Sequence, residues 1–537
     1  AERVHAFCAA PPTDFDDATL FVRYAKHPLA RQWWVWNMGE SPVHGVTSPL
    51  HFFVVTLAQA LLGGDVAAPL HAASGVATLL LLAALAATCA CCTVGLGPRT
   101  RFFFWGGALL VLLGYREAFF FHAHLGMDTM LAALGNTALA TAALRLAQRP
   151  STRMALATAA LGWLSVEARP DNVIIAVLCP LLALGLLASA PRRRPLLVWA
   201  AGLLALLGAS LLVKGRLLGT PLPLAFYAKQ PGHYQAFAGE FTWNPFWFLH
   251  VALACVWPFI LAVVMGVRRD SVRLLVVLGL PALGTWLALF GVNQIMGHLG
   301  RFYFPSLAPV VLAGCLLAAR WLHELPGRAR ATESPARLAR ELVLRLALAA
   351  LLLLGGARAL DAAGTWYQAR AKSQILAPLD GVSVPATEAL PQLDSWRSSW
   401  EMGRLAAAAP AGTRLAMSEH GLVGALAPHA TIIDVLGLHD PLFARTRFSP
   451  AELWRRQPDM IWMPHPDHTQ MVRDILDSDE FWRGYDFYPD AFTYGVALRR
   501  DSPRFAQLAA LFAERWQAAY PGLSMTDYLA RRSDPQY

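Results

Sequence analysis

Acidic residues gather near the start of the chain. Asp14-Phe15-Asp16-Asp17 is followed by Arg23, then by Trp33-Trp34-Val35-Trp36, Glu40 and His44. Two adjacent carboxylates suit acid–base chemistry: one deprotonates an acceptor hydroxyl, and the other orients it or holds a cation. They equally suit the first turn of a helix, where acids complement the peptide dipole. A second group is cationic: Arg169 in Glu167-Ala168-Arg169-Pro170-Asp171, Lys229 after Phe226-Tyr227-Ala228, and Arg301 with His298 three residues before it. An arginine fork or a lysine point charge can clamp a phosphate, and each can also anchor a helix end at a membrane surface. Glu117, His124, Asp128 and Tyr227 lie beside these cations in outward turns and complete a set of substrate contacts with Arg23, Trp36, Glu40 and His44. The tryptophans fit a sugar-stacking surface or an interfacial aromatic belt equally well. Asp14-x-Asp16 leaves a divalent cation open, and nothing in the sequence requires a cofactor.

The elements that must carry these residues are set by composition. Of 537 residues, 56% are apolar and only 15% charged, with a mean hydropathy of +0.41. Soluble domains carry roughly 25% charged residues, so a single soluble globule is excluded, as is a disulfide-stapled module. A net charge of +9 would suit a nucleic-acid binder, but the basic residues sit between apolar runs, which points to a lipid bilayer and no nucleic acid. Ten such runs lie near 69–96, 102–115, 128–146, 154–168, 172–190, 196–213, 247–267, 274–291, 302–321 and 342–358. Every second connector is basic, and these five connectors hold 17 Lys and Arg residues. By the positive-inside rule they are cytoplasmic. Residues 1–68, the turns near 116–127 and 169–171, the loop 214–246 and the turn 292–301 then face outward. An outward first segment needs an upstream span to place it there, so an eleventh helix before Ala1 is expected.

Charge changes sign along the chain: residues 1–359 carry a net +13 and residues 360–537 a net −4. The first part reads as a transmembrane catalytic domain with an outer loop over 1–68, the second as an extracytoplasmic α/β domain. In that domain helices are predicted over 395–409, 469–476 and 505–519, and strands over 414–418, 431–436, 460–463 and 494–499. Asp434, His439, Asp440 and Arg445 form its densest polar cluster, either a structural loop or an acceptor contact such as Asp440.

The stretch DDATLFVRYAKHPLARQWWVWNMGESPVHGVTSPL resembles the first outer loop of GT-C membrane glycosyltransferases. The closest likeness is to bacterial arabinofuranosyltransferases that use polyprenyl-phosphate sugars, a group related to mycobacterial terminal arabinosyltransferases and a pilin arabinosyltransferase. It continues in order through EARPD, GTPLPLAFYAK, GRFYFP and IIDVLGLHDP. The resemblance implies a polytopic α-helical GT-C-like membrane fold in the bacterial inner membrane, with the site and the C-terminal domain periplasmic. It also implies a polyprenyl-phosphate donor carrying D-arabinofuranose, a glycan or protein acceptor, and Asp17 or Asp16 as general base. Two departures weaken the sugar assignment rather than the reaction class: Arg31-Gln32-Trp33-Trp34 replaces a Gly-rich loop, and Asp128 stands where Glu is common. The competing expectation is a transporter or flippase of a lipid-linked saccharide, although the charges gather on one face and no internal repeat is present.

Overall fold

The computed structural model describes residues 16–64, 66–93, 97–102, 104–106, 116–188, 193–230, 253, 260, 264, 269–290, 300–311, 313–315, 335–371, 393, 395–466, 468–525 and 528. The chain forms two compact units. One comprises Ala1–Ala72, Leu211–Glu240 and Ile375–Tyr537, the other Ala73–Ser210 and Phe241–Gln374.

Long apolar stretches without polar interruption become long helices, because a helix satisfies its own backbone where no water can. In chain order the helices are α1 (Asp16–Leu29), α2 (Pro49–Leu62), α3 (Ala67–Cys92), α4 (Arg116–His124), α5 (Thr129–Gln148) and α6 (Thr152–Ala168). A 3₁₀ turn over Pro170–Asn172 leads into α7 (Val173–Leu186), followed by α8 (Arg193–Leu218), α9 (Leu224–Ala228), α10 (Arg269–Phe290) and α11 (Pro335–Ala371). Among the described residues four helices are long and apolar enough to cross a membrane: Ala67–Ala90, Thr129–Gln148, Arg193–Leu218 and Ala339–Trp366. The runs expected at 102–115 and 247–267 fall largely outside the described residues. Helix α11 leaves Leu351 and Leu354 exposed at 68% and 69%, the side-chain pattern of a helix that faces lipid rather than water. Helix α2, PLHFFVVTLAQALL, was not among the expected runs; Thr56 and Gln59 interrupt its apolar sequence and it spans only 14 residues.

In the second unit small residues let helices approach closely. A Cβ on Gly135 of α5 would stand 3.1 Å from the Ser165 backbone of α6, and one on Gly202 of α8 would stand 3.3 Å from Ala159 of α6. A buried amide network ties the same helices. Asn136 Nδ2 donates to Asn172 Oδ1 at 2.8 Å and to the Pro305 carbonyl at 3.1 Å, and Ser165 Oγ donates to Asn136 Oδ1 at 2.9 Å.

The C-terminal part of the first unit is an α/β layer. It contains α12 (Ser395–Ala408), β1 (Arg414–Met417), α13 (Gly421–Leu426), β2 (Thr431–Asp434), α14 (Pro441–Thr446), α15 (Pro450–Arg456) and β3 (Met460–Trp462). Then follow α16 (Thr469–Leu476), α17 (Asp479–Gly484), β4 (Tyr485–Tyr488), β5 (Val496–Arg499) and α18 (Phe505–Ala519). The strand order is β2-β1-β3-β5-β4. β1 pairs in parallel with β2 (Ala416 opposite Ile433) and with β3 (Ala416 opposite Ile461), whereas β5 runs antiparallel to β3 and β4. Ala416, Ile433, Val435, Phe443, Leu453, Ile461 and Phe481 share a buried core. Strand β2 stops two residues earlier than the sequence predicts. Asp434 turns its carboxylate onto the N–H groups of Leu436 and His439 (2.9 and 2.6 Å), and Gly437 takes φ +77°. A Cβ there would collide with the Phe443–Ala444 backbone, so this turn requires glycine.

Candidate functional site

The acidic pair opens α1, and its two members have different surroundings. Asp16 directs both carboxylate oxygens at the first N–H groups of α13: Oδ2 accepts from Gly421 at 2.6 Å and Oδ1 from Leu422 at 2.7 Å. These are helix-start donors with no intrahelical partner, and a carboxylate is their natural acceptor. Asp17, one residue on, is half-buried. The close seat of α1 on α13 depends on Gly421, where a Cβ would collide with the Asp16 carbonyl oxygen. Gly421→Ala must therefore push α1 off the cap. We expect it to lower stability by about 2 kcal/mol or more, read as a fall in the thermal midpoint of the purified protein. An unchanged midpoint would show that the seat is not close.

Arg23, expected at a substrate, is instead a buried strut. Its five N–H donors meet five acceptors: Nε donates to the Trp36 carbonyl (2.8 Å), Nη1 to those of Gly424 (2.9 Å) and Ala427 (3.1 Å), and Nη2 to Asn37 Oδ1 (2.8 Å) and the Ala430 carbonyl (3.0 Å). None is left for a ligand. His27, buried near it, hydrogen-bonds the Val35 carbonyl at 2.8 Å; burial pushes its imidazole down to about 4, with the Arg23 charge adding to the effect.

Trp36, expected to stack on a sugar, is also internal. Its ring lies on His439 at a centroid distance of 4.0 Å and 14° between planes, with the Arg23 guanidinium 4.6 Å from the ring centre. Its Nε1 donates to the Ile432 carbonyl at 3.2 Å. Asn37 then pairs with the same residue, donating to the Ile432 carbonyl (3.0 Å) and accepting its N–H (2.8 Å). The segment 36–37 thus covers the outer edge of β2, which would otherwise present unpaired peptide groups. Trp34, held at φ +63°, packs on Phe52 of α2 at 4.7 Å.

Among the other expected contacts in this unit, Glu40 is exposed and accepts from Asn37 Nδ2 at 3.1 Å. His44 is buried and its Nδ1 hydrogen-bonds the Thr220 carbonyl at 3.1 Å. Asp440 caps α14 through the N–H groups of Leu442 and Phe443 (3.0 and 3.1 Å) and pairs with Arg456, which spends its carboxylate inside the fold. Tyr227 is half-buried on α9 and Lys229 is exposed just beyond it.

The second unit holds the remaining cations. Arg169 and Arg301 are both nearly buried, and each guanidinium lies over the Phe302 ring, 4.8 Å and 5.6 Å from its centre. Arg169 Nε donates to Asp171 Oδ1 at 2.8 Å and its Nη1 to the Arg301 carbonyl at 3.2 Å. Arg301 Nη2 stands 3.9 Å from Asp128 Oδ1. Arg169, Arg301 and Asp128, distant in sequence, therefore share one cluster, and Asp171 and Phe302 join it although the sequence reading assigned them no role. Glu117 lies in the first turn of α4 and His124 ends that helix, its Nδ1 on the Phe120 carbonyl at 2.8 Å. Asp14 and His298 lie outside the described residues. Of the expected Asp14-x-Asp16 cation pair, Asp16 accepts one N–H group of α13 on each carboxylate oxygen.

The fold of the chain has a counterpart among solved structures. It is similar to the crystal structure of ArnT from Cupriavidus metallidurans in the apo state, with a TM-score of 0.50 and 17% identity over 89% of this chain and 92% of that one. The crystal structure of the same ArnT bound to undecaprenyl phosphate gives a TM-score of 0.48 and 16% identity, covering 92% of this chain and 94% of that one. No protein-family model matches the chain, and no curated protein sequence matches it significantly.

Proposed function

We propose that the chain is a membrane glycosyltransferase that moves a sugar from a polyprenyl-phosphate donor to an extracytoplasmic glycan or protein acceptor. The observation that carries this reading is the likeness of fold to ArnT, extending over 89% of the chain. The residues supply the roles. Asp17 takes the proton of an acceptor hydroxyl, whose oxygen forms a bond to the anomeric carbon. The bond from that carbon to phosphate breaks, and the polyprenyl phosphate leaves with the electron pair. Cations stabilise the leaving charge best in a site with little water, and Arg169, Arg301 and Lys229 are assigned to that task. Because a phosphate leaves readily, no general acid is needed. The basic connectors support the side opposite the cytoplasm for this chemistry. The donor sugar we favour is D-arabinofuranose, on the resemblance of the first loop, the EARPD turn and the GRFYFP segment.

Purified protein in proteoliposomes, given a panel of radiolabelled polyprenyl-phosphate sugars and an acceptor extract, should transfer the label from the arabinofuranose donor. Transfer from another donor of the panel would overturn the sugar assignment alone. Movement of the lipid across the bilayer without transfer would overturn the enzyme and favour a flippase.

A further inference from the structure

Three metal-binding groups meet in the first unit at a place the proposed transfer does not use. His420, Asp434 and His439 each bring a ligand atom within 4.8 Å of the others. Their exposures are 2%, 0% and 3%. His420 Nδ1 lies 2.5 Å from the Ser418 carbonyl oxygen. A carbonyl only accepts, so Nδ1 carries the proton and Nε2 keeps its lone pair. That Nε2 stands 3.6 Å from Asp434 Oδ2. This is too long for a hydrogen bond, and near the edge, roughly 3.3 Å, of a tetrahedron of N and O ligands about zinc. His439 Nδ1 hydrogen-bonds the Tyr24 hydroxyl at 3.1 Å. Neither His420 Nε2 nor His439 Nε2 has a hydrogen-bond partner among the described residues, a condition that buried polar atoms rarely tolerate.

The surroundings are those of a ligand set. A carbonyl behind one imidazole and a phenol behind the other hold the rings in place, as outer partners do around bound metals. Asp434 is fixed by the N–H groups of Leu436 and His439.

We propose that His420, Asp434 and His439 bind one divalent ion of the zinc class, which ties β2 and its following turn to the start of α13 under the Trp36 ring. Two imidazoles and one carboxylate favour such an ion over magnesium or calcium, which prefer oxygen ligands. Three protein ligands leave a tetrahedral ion one further position.

The full chain, purified in detergent without a histidine tag and stripped with chelator, should retain one equivalent of Zn²⁺ through gel filtration and gain several degrees in thermal midpoint. Loaded with Co²⁺ instead, it should show the visible d–d bands of a tetrahedral site. His420→Gln and His439→Gln should each lower zinc affinity by about tenfold or more, while His429→Gln, at a histidine outside the cluster, should leave it unchanged. Absence of both retained zinc and cobalt bands in the unsubstituted chain overturns the proposal whether or not any variant folds. Full retention by the His420→Gln, His439→Gln double variant overturns it as well. The zinc readouts are independent of sugar transfer, so an inactive but zinc-binding chain would refute the proposed reaction and leave this site standing.

Discussion

Asp17→Asn is expected to lower the rate of sugar transfer by about two to four orders of magnitude, the range a positioned general base contributes, with the thermal midpoint unchanged. Asparagine has nearly the same shape but takes up no proton. Asp16→Asn is expected to behave in the opposite way. Both Asp16 oxygens accept N–H groups of α13, and an amide would set an NH₂ against one of those donors. The loss of a charged cap costs roughly 0.5–2 kcal/mol, and kcat per folded molecule should fall less than tenfold. Asp17→Glu, which retains the basic group on a longer arm, should restore part of the activity. The measurement is kcat with the polyprenyl-phosphate donor, beside a thermal scan of each variant. A larger kcat loss in Asp16→Asn than in Asp17→Asn, at equal stability, would exchange the two roles.

The adjacency of Asp16 and Asp17 was legible in the sequence, but their division of labour was not. What separates them is a helix start 405 positions away. The same holds for Arg23. Its place near an aromatic cluster suggested a ligand contact, whereas three of its five acceptors are carbonyls of Gly424, Ala427 and Ala430. A guanidinium on a sequence looks the same whether its acceptors are phosphate oxygens or peptide oxygens. Trp36 was ambiguous for a related reason, because its partner ring belongs to His439.

Local signals fared better. Helices α16 and α18 carry apolar residues at helical spacing and occupy the residues expected, Thr469–Leu476 and Phe505–Ala519. Strand β4 (Tyr485–Tyr488) escaped notice: it follows directly on α17 and has few turn residues before it, and only its pairing with β5 defines it. His420 had no signal at all. A lone histidine before a Gly-Leu-Val run is unremarkable until the fold brings Asp434 and His439 to it. Arg169, Arg301 and Asp128 were expected in outward turns, but the Phe302 ring near both guanidinium groups was not expected.

Arg23→Met is expected to be the most destabilising single change in the first unit. The side chain is fully buried, and methionine fills most of its volume without any donor. Five acceptors then lose the Arg23 donor, the Trp36, Gly424, Ala427 and Ala430 carbonyls and the Asn37 amide oxygen, of which the Ala427 carbonyl and the Asn37 oxygen keep the Ala430 and Ile432 N–H groups. Leaving one buried acceptor unsatisfied costs about 1–3 kcal/mol. Relaxation and water entry recover part of the total, so a net loss on the order of 4 kcal/mol or more is expected, in the range reserved for broken buried networks. Arg23→Lys separates charge from geometry. An ammonium group keeps the charge but has three donors at one point and cannot span acceptors on both sides of a guanidinium plane. It should therefore fall between the unsubstituted chain and Arg23→Met. If Arg23 instead served a substrate, Arg23→Met would leave the thermal midpoint nearly unchanged and raise KM. Thermal unfolding and trypsin resistance of the three proteins, measured beside KM for the donor, decide between strut and ligand contact. A strut moves the first two readouts together, and a ligand contact moves only the third.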